Sequence, residues 1–346
     1  MLVCVARGAG DLRVEDRPDP QPGPDEVSVE IDLGGICGSD LHYYHRGAVG
    51  DFRIQEPLVL GHEVVGRVAS LGHGVPPTGV TGLELGTPVA VHPATPCNAC
   101  PECRSGRRNV CRNTRYLGSA ARVPHVQGGF SRHLVVPADQ VHVLPPGLDL
   151  RRAVLAEPLA VALHAVRRAG DVAGRHVLVT GAGPIGCLVV AALRAAGAEV
   201  TATDLVDEAL AVAAAVGATA TVRADDAAAS WPDEVDVAIE ASGSAAGLAS
   251  CLSRTRRGGT VVQLGLLPPG DTPIAGNLVA TRELTLTGAF RFDTEFAEAL
   301  QLLADGLPVD PVVTHVFPVE SAVAAFDLAG DRHQACKVLL DFAEDG

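Results

Sequence analysis

Two segments of the chain carry residue types that bind zinc. The first opens with Cys37 and closes with His62 and Glu63. A thiolate and an imidazole on separate loops are typical of a catalytic zinc site, which keeps one coordination position open. Ser39 lies two residues from the thiolate, and Asp40 is expected to accept a hydrogen bond from the free ring nitrogen of His62. Taken alone, Cys37 or His62 is more simply explained as a core thiol or a loop histidine.

The second segment places four cysteines within fifteen residues, at Cys97, Cys100, Cys103 and Cys111. Four thiolates close a tetrahedral shell and leave no position for a substrate, so the spacing predicts a structural zinc. Glu102 is the only acid in a segment that also contains Arg104, Arg107, Arg108, Arg112 and Arg115. Because zinc held by four thiolates carries net negative charge, we interpret the arginines as a solvated face that balances it.

A single carboxylate, Glu157, stands in apolar sequence directly before Pro158. Proline suits the first position of a helix, so the sequence predicts a helix that starts at Pro158 and leaves Glu157 outside it in an extended conformation. There the carboxylate is a candidate third ligand of the catalytic zinc, directly or through water. The alternative is an exposed acid favoured by the helix dipole, and the residues alone do not separate the two.

A nucleotide-binding motif follows a buried strand at 176–180 and opens an Ala- and Leu-rich helix. The residues expected to approach a pyrophosphate are Gly181, Gly183, Pro184, Ile185 and Gly186. Asp204, at the tip of the next strand, can hold both hydroxyls of the adenosine ribose. Its charge repels a 2′-phosphate, and Leu205 and Val206 supply no cation. The sequence therefore favours NAD over NADP.

The pattern of short elements predicts two kinds of architecture. Strands with Gly- and Pro-rich turns dominate the first part and predict a small β-barrel-like domain. Later, runs at 176–180, 199–203, 235–239, 260–264 and 284–287 read as strands, with helical stretches between the earlier ones. This predicts an α/β protein with a doubly wound parallel sheet. An amphipathic helix is expected over 296–303.

Composition excludes several classes of protein. The chain has 346 residues, 47% of them hydrophobic and 20% charged, which suits two ordinary globular domains. A net charge of −14 argues against a nucleic-acid or anionic-membrane partner. We expect no membrane span and no secretory signal. Nine cysteines, an odd and clustered set, favour an intracellular metalloprotein, so a cytoplasmic location is expected.

With these motifs in order, the chain resembles the zinc-dependent medium-chain dehydrogenases along nearly its full length. The matching features are Gly61-His62-Glu63, the four-cysteine lobe, Glu157-Pro158 and the nucleotide motif. The segments 37–44 and 288–292 resemble the polyol branch, which includes sorbitol dehydrogenase. Within that branch, the segment 46–63 is similar to L-idonate 5-dehydrogenases.

The resemblance implies a mostly β, GroES-like catalytic domain over 1–150 and 292–346, and a Rossmann NAD-binding domain over 151–291. It implies catalytic zinc at Cys37, His62 and Glu157, with Glu63 beside it either as a residue that supports the ligands or as an alternate ligand. Relatives are usually homotetramers or homodimers. The roles implied for other residues are a proton relay through Ser39 and His42 and contacts to the polyol chain from Tyr43 and Arg291.

The expected reaction is NAD-linked oxidation of a secondary alcohol on a sugar acid or polyol, in the first place L-idonate to 5-keto-D-gluconate. A neutral polyol such as sorbitol or xylitol is the alternative substrate. A non-catalytic NAD-binding protein is the alternative from another class, and a nucleic-acid-binding zinc protein is a third. The intact set of zinc ligands argues against the non-catalytic protein, and the net charge argues against the nucleic-acid-binding protein.

Overall fold

The computed structural model describes residues 1–76, 82–226 and 228–343. Its strands are β1 (Leu2–Gly8), β2 (Asp11–Asp16), β3 (Glu26–Gly35), β4 (Ala48–Val49), β5 (Phe52–Arg53), β6 (Leu58–Val59), β7 (Glu63–Leu71), β8 (Pro88–Val91), β9 (Ala94–Thr95), β10 (Arg115–Tyr116), β11 (His133–Pro137), β12 (Val141–Val143), β13 (His176–Thr180), β14 (Glu199–Asp204), β15 (Ala220–Arg223), β16 (Val235–Glu240), β17 (Thr255–Gln263), β18 (Thr285–Gly288), β19 (Val313–Pro318) and β20 (Lys337–Asp341). Its α-helices are α1 (Gly38–Arg46), α2 (Pro101–Arg104), α3 (Leu150–Ala153), α4 (Ala156–Ala169), α5 (Pro184–Ala195), α6 (Asp207–Ala215), α7 (Ala245–Arg254), α8 (Gly276–Thr281), α9 (Glu295–Ala304) and α10 (Ala322–Ala329).

The amino-terminal part is built on β-sheets. A seven-stranded sheet has the order β12-β8-β7-β3-β20-β19, with β11 paired to β3, and a three-stranded sheet has the order β2-β1-β6. Because β20 pairs with β3, Leu339 opposite Gly35, the end of the chain returns to the sheet that leads into Cys37. Phe130 and Phe326 are fully buried and pack edge to face in the core of this part.

The middle of the chain forms a six-stranded sheet of order β15-β14-β13-β16-β17-β18, in which all strand pairs are parallel. This is the doubly wound order, in which nucleotides bind beyond the carboxyl ends of the strands. The predicted α/β fold with a parallel sheet and a mostly β second part is confirmed. Helix α9, predicted over 296–303, shares a buried cluster with α4 and α5.

One predicted helix boundary is wrong. Helix α4 begins at Ala156, so Glu157 lies in its first turn and is not extended. Pro158 is the third helical residue rather than the first. The N–H groups of the first turn have no partner within the helix, so a proline is tolerated there as well, and its position fixes a helix start only to within one turn.

The first residue of α9 is a buried carboxylate that connects α4 to the segment before α9. Glu295 Oε1 lies 3.0 Å from His164 Nδ1, and Oε2 accepts hydrogen bonds from the backbone N–H groups of Asp293 (2.8 Å) and Thr294 (3.0 Å). Burial alone would raise the pKa of Glu295, but the contacts with His164 and the backbone of Asp293 lower it from 4.5 to about 2. The charged form therefore stabilises the fold above pH 4.5, and this stabilisation is lost as the pH falls towards about 2.

We expect Glu295→Gln to lower the free energy of unfolding by about 2–3 kcal/mol at pH 7, because it removes charge-assisted hydrogen bonds. The deficit should shrink steadily below pH 4.5. Urea unfolding at pH 7, 4 and 3 measures it. Glu298→Gln is the control for the ion pair with Arg167, which both Glu298 and Glu295 contact, since Glu298 is exposed on the same helix. A deficit equal at all three pH values, or equal in the control, would contradict the assignment.

Candidate active site

Helix α1 and its cap hold the first candidate ligand. Cys37 directly precedes the helix, and Asp40 Oδ2 accepts a hydrogen bond from Cys37 N at 3.0 Å. The other oxygen, Oδ1, accepts one from Gly61 N at 3.2 Å. Asp40 is fully buried and thus connects the cysteine loop to the histidine loop. His62 Nδ1 lies 3.8 Å from Asp40 Oδ1, so the two form an ion-pair contact instead of the expected hydrogen bond.

Three candidate ligand atoms meet between these loops. One atom each from Cys37, His62 and Glu63 lie within 4.8 Å of one another, with His62 and Glu63 buried. Burial lowers the pKa of His62, but the charges of Asp40 and Cys37 raise it to about 10. The site therefore has an excess of negative charge that favours a cation. A thiolate, an imidazole and a carboxylate are the donors that zinc takes, so the residues fit a zinc ion.

The space for Glu63 depends on two glycines. A Cβ atom on Gly35 would lie 2.2 Å from Glu63 Oε2. Gly61 has a φ of +91°, and a Cβ there would lie 2.2 Å from the ring of Phe130. Larger residues at these positions would displace the carboxylate or the histidine loop.

A buried lysine, which the sequence analysis missed, neutralises Glu63. Lys337 Nζ donates to both carboxylate oxygens of Glu63, at 2.8 and 2.7 Å, and to the carbonyl of Ile36 at 3.0 Å. Both side chains are almost wholly buried, at 2% and 1% exposure. Lys337 is the only lysine of the chain. Two signals in the sequence could have drawn attention to Lys337: lysine occurs only once in the chain, and this residue stands at the start of an apolar strand.

Glu157 approaches the site through a tyrosine that the sequence analysis also missed. Tyr116 donates its hydroxyl hydrogen bond to Glu157 Oε1 at 2.6 Å, and its ring meets the His62 ring at 5.6 Å between centroids. Burial raises the pKa of Glu157. Glu157 is not one of the three residues whose ligand atoms converge within 4.8 Å. The guanidinium of Arg291 lies 4.3 Å from the centre of the Tyr116 ring, so it belongs to the same site.

The segment that carries Arg291 is attached to the four-cysteine lobe. Arg291 has a φ of +53°, in the left-handed region. The side-chain amide of Asn109 donates to the carbonyl of Phe290 at 2.9 Å, and Arg108 pairs with Asp293 at 2.7 Å. The lobe therefore fixes the backbone on both sides of Arg291.

The four cysteines of the lobe converge as predicted. Their sulfur atoms lie within 4.8 Å of one another, which fits a Cys₄ zinc site. The predicted exposed arginine face is present, because Arg104, Arg107, Arg108, Arg112 and Arg115 are all exposed. Two of them also form ion pairs, Arg108 with Asp293 and Arg112 with Glu102.

The predicted relay and substrate residues occupy different environments. Ser39 is half-buried in the first turn of α1, and His42 is exposed one turn later on the same face. Tyr43 is buried, at 3% exposure, and its hydroxyl accepts a hydrogen bond from Ala120 N at 2.9 Å. The sequence did not indicate this internal partner.

The glycine-rich motif has the geometry that close approach of a pyrophosphate requires. Gly181 has a φ of +90°, and a Cβ on it would lie 2.6 Å from Ser242 backbone atoms. A Cβ on Gly186 would lie 1.8 Å from the carbonyl oxygen of Gly181, and Gly183 caps α5. One cleft of about 300 Å³ is lined by this motif and by Cys37, Glu63 and Lys337. Two candidate metal ligands, Cys37 and Glu63, thus share a cleft with the nucleotide motif.

Among the described residues, no helix is long and apolar enough to cross a bilayer.

The chain matches two protein-family models. Residues 23–146 match the alcohol dehydrogenase GroES-like domain, and residues 184–305 match the zinc-binding dehydrogenase family. It is 39% identical over 322 residues to the L-idonate 5-dehydrogenase (NAD(P)(+)) of Escherichia coli K12, covering 91% of each chain. It is 36% identical over 354 residues to the sorbitol dehydrogenase of Gallus gallus, covering 98% and 96% of the two chains.

The chain is also similar to solved structures of dehydrogenases. The crystal structure of the Escherichia coli L-idonate 5-dehydrogenase is similar with a TM-score of 0.92 at 36% identity, over 99% and 98% of the two chains. That of a zinc-binding dehydrogenase from Sinorhizobium meliloti bound to NADP has a TM-score of 0.88 at 32% identity, over 98% of each chain.

Proposed function

Because the chain belongs to the zinc-dependent medium-chain alcohol dehydrogenases, in their polyol branch, we propose that it oxidises a secondary alcohol of a sugar acid with NAD, converting L-idonate to 5-keto-D-gluconate. The observation that carries the proposal is the cleft shared by the zinc-ligand residues and the nucleotide motif. In such a cleft the carbinol carbon and the nicotinamide ring can meet.

Cys37, His62 and Glu63 would hold the catalytic zinc, with Glu157 taking part directly or through water. When bound, zinc supplies Lewis acidity that lowers the pKa of the substrate hydroxyl, and NAD accepts the hydride. Ser39 takes the proton that the hydroxyl releases and passes it to His42, whose exposed ring delivers it to water. Glu157 is held towards the site by Tyr116.

The sugar-acid assignment rests on Arg291. Partial burial lowers the pKa of its guanidinium, and a half-buried cation is stabilised by an anionic partner. Within the described residues its close contacts are the rings of Tyr116 and Phe290, at 4.3 and 4.8 Å, and no carboxylate lies within ion-pair distance. A substrate carboxylate would supply that partner by bidentate hydrogen bonds. Tyr43 would line the polyol chain through its ring.

A neutral polyol is the second candidate substrate, favoured by the similarity to sorbitol dehydrogenase. A non-catalytic NAD-binding role is disfavoured by the convergence of Cys37, His62 and Glu63. NAD remains the preferred cofactor because Asp204 ends strand β14. We further propose a cytoplasmic homotetramer or homodimer with catalytic residues 1–150 and 292–346 around a nucleotide domain of residues 151–291.

We expect NADH formation with L-idonate to exceed that with D-gluconate, sorbitol and xylitol. Because an ionic pair with Arg291 contributes about 1.5–3 kcal/mol, the preference in kcat/KM over the uncharged sorbitol and xylitol should reach about 10- to 100-fold. D-gluconate has the same carboxylate as L-idonate, so comparison with it tests the configuration of the carbinol carbon. Absorbance of NADH measures it with zinc-loaded protein. Arg291→Ala should remove the preference and leave sorbitol oxidation nearly unchanged. Faster turnover of sorbitol or xylitol would assign a neutral polyol, and no turnover of any of the four would contradict an alcohol dehydrogenase.

A further inference from the structure

An arginine from the end of the chain occupies the adenosine-ribose position of the nucleotide site. Arg332 Nη2 lies 2.5 Å from Asp204 Oδ2. The Asp204 side chain is 2% exposed, whereas that of Arg332 is 50% exposed and lines the mouth of the cleft. The two residues are 128 positions apart, so the sequence did not indicate this contact.

The contact changes the electrostatics of the ribose position. Asp204 also accepts hydrogen bonds from the backbone N–H groups of Ala182, Leu205 and Val206, at 2.7, 2.7 and 3.1 Å. These backbone groups engage both carboxylate oxygens, and Arg332 neutralises the charge of Asp204. A 2′-phosphate excluded by a bare carboxylate would here meet a guanidinium, which binds phosphate oxygens in a bidentate manner.

Neighbouring acids at the start of α6 also have basic partners. Asp207 lies 3.0 Å from Arg223, and Glu208 lies 3.5 Å from His333. These pairs are largely exposed and contribute little on their own. Together with the buried carboxylate of Asp204, however, the three acids from the carboxyl end of β14 into the first turn of α6 (Asp204, Asp207 and Glu208) each face a basic side chain. The pocket thus lacks the uncompensated negative charge that would reject a phosphate.

We propose that Arg332 is a cofactor-specificity residue, which pairs with Asp204 in the free protein and binds the 2′-phosphate of NADP. The chain then binds NADP as well as NAD. The ratio of its affinities for NAD and NADP is smaller than Asp204 would give without Arg332. For NAD, the ribose hydroxyls displace Arg332 from Asp204, and the exposed guanidinium turns to solvent. The inference rests on the proposed function only in that the cleft binds a nicotinamide dinucleotide.

Fluorescence titration of the zinc-loaded protein with NADPH and NADH tests the proposal without any alcohol. We expect wild type to bind NADPH within about 100-fold of NADH, and Arg332→Ala to weaken NADPH binding about 10- to 100-fold, as for loss of a charge-assisted contact. NADH binding should be unchanged or tighter, since a competitor for Asp204 is removed. Arg332→Lys should retain part of the NADPH affinity, because lysine keeps the positive charge but cannot form the bidentate hydrogen bonds of the guanidinium.

Arg256→Ala is the matched control. Arg256 is similarly exposed and pairs with Asp236 at 2.8 Å, but at the opposite end of the parallel strands. It should change neither affinity. Equal loss of NADPH and NADH binding in Arg332→Ala, or no loss of either, would overturn the proposal. A selective loss of NADPH binding in a protein that oxidises no alcohol would support the role of Arg332 and refute the proposed activity.

Discussion

Cys37→Ser is expected to lower kcat by about 10³-fold or more, because Lewis-acid assistance contributes several kcal/mol and about 1.4 kcal/mol is a factor of ten. The serine hydroxyl is a far weaker zinc ligand than the thiolate. The zinc content should fall from two ions per chain to one, since the four-cysteine lobe is untouched. Steady-state kinetics and elemental analysis of the same preparation measure both effects.

Two further observations separate a lost metal site from a lost fold. Nucleotide binding should survive in Cys37→Ser, because Gly181 to Gly186 and Asp204 take their positions from the parallel sheet. Cys251→Ser is the control thiol, buried in another core beside the hydroxyl of Thr180 at 3.5 Å, where a serine can hydrogen bond. It should keep full activity. A Cys37→Ser protein that retains full activity would refute zinc ligation by this residue.

Features that depend on neighbours in the sequence were predictable. The four cysteines lie within fifteen residues, so their spacing alone brings the sulfur atoms together. The glycine motif is flanked by a strand and a helix, and a Cβ on Gly186 would meet the carbonyl oxygen of Gly181, five residues earlier. The alternation of strands and helices likewise fixed the parallel sheet. In these cases the spacing of the residues, or the order of strands and helices along the chain, determines how the groups are arranged in space.

Contacts between distant segments were not predictable in the same way. Lys337 is 274 positions from Glu63, and Tyr116 is 41 positions from Glu157. Nothing within either local sequence shows which carboxylate the lysine or tyrosine will meet. The start of α4 was misplaced for a related reason, because a proline is compatible with several positions of the first turn. Chemistry that depends on tertiary pairing therefore required the fold.

The lysine also allows a test of how the buried site is stabilised. We expect Lys337→Met to lower the free energy of unfolding by about 3–5 kcal/mol, because it leaves the buried carboxylate of Glu63 without its partner. Lys337 accounts for the hydrogen bonds to both oxygens of Glu63, and the pair is shielded from solvent. Urea unfolding measures the loss. It should be largest after zinc is removed with a chelator, since a bound cation would offset part of the uncompensated charge.

A double-mutant cycle distinguishes the ion pair from a simple packing defect. Glu63→Gln alone removes the buried charge while it keeps the shape of the side chain. Combined with Lys337→Met, it should recover at least about 2 kcal/mol of the single-mutant loss, as expected for residues in direct contact. Additive losses would show that the lysine acts through packing alone. A double variant that recovers stability and still lacks activity would show that Glu63 is needed for the reaction and that Lys337 offsets the cost of burying its charge.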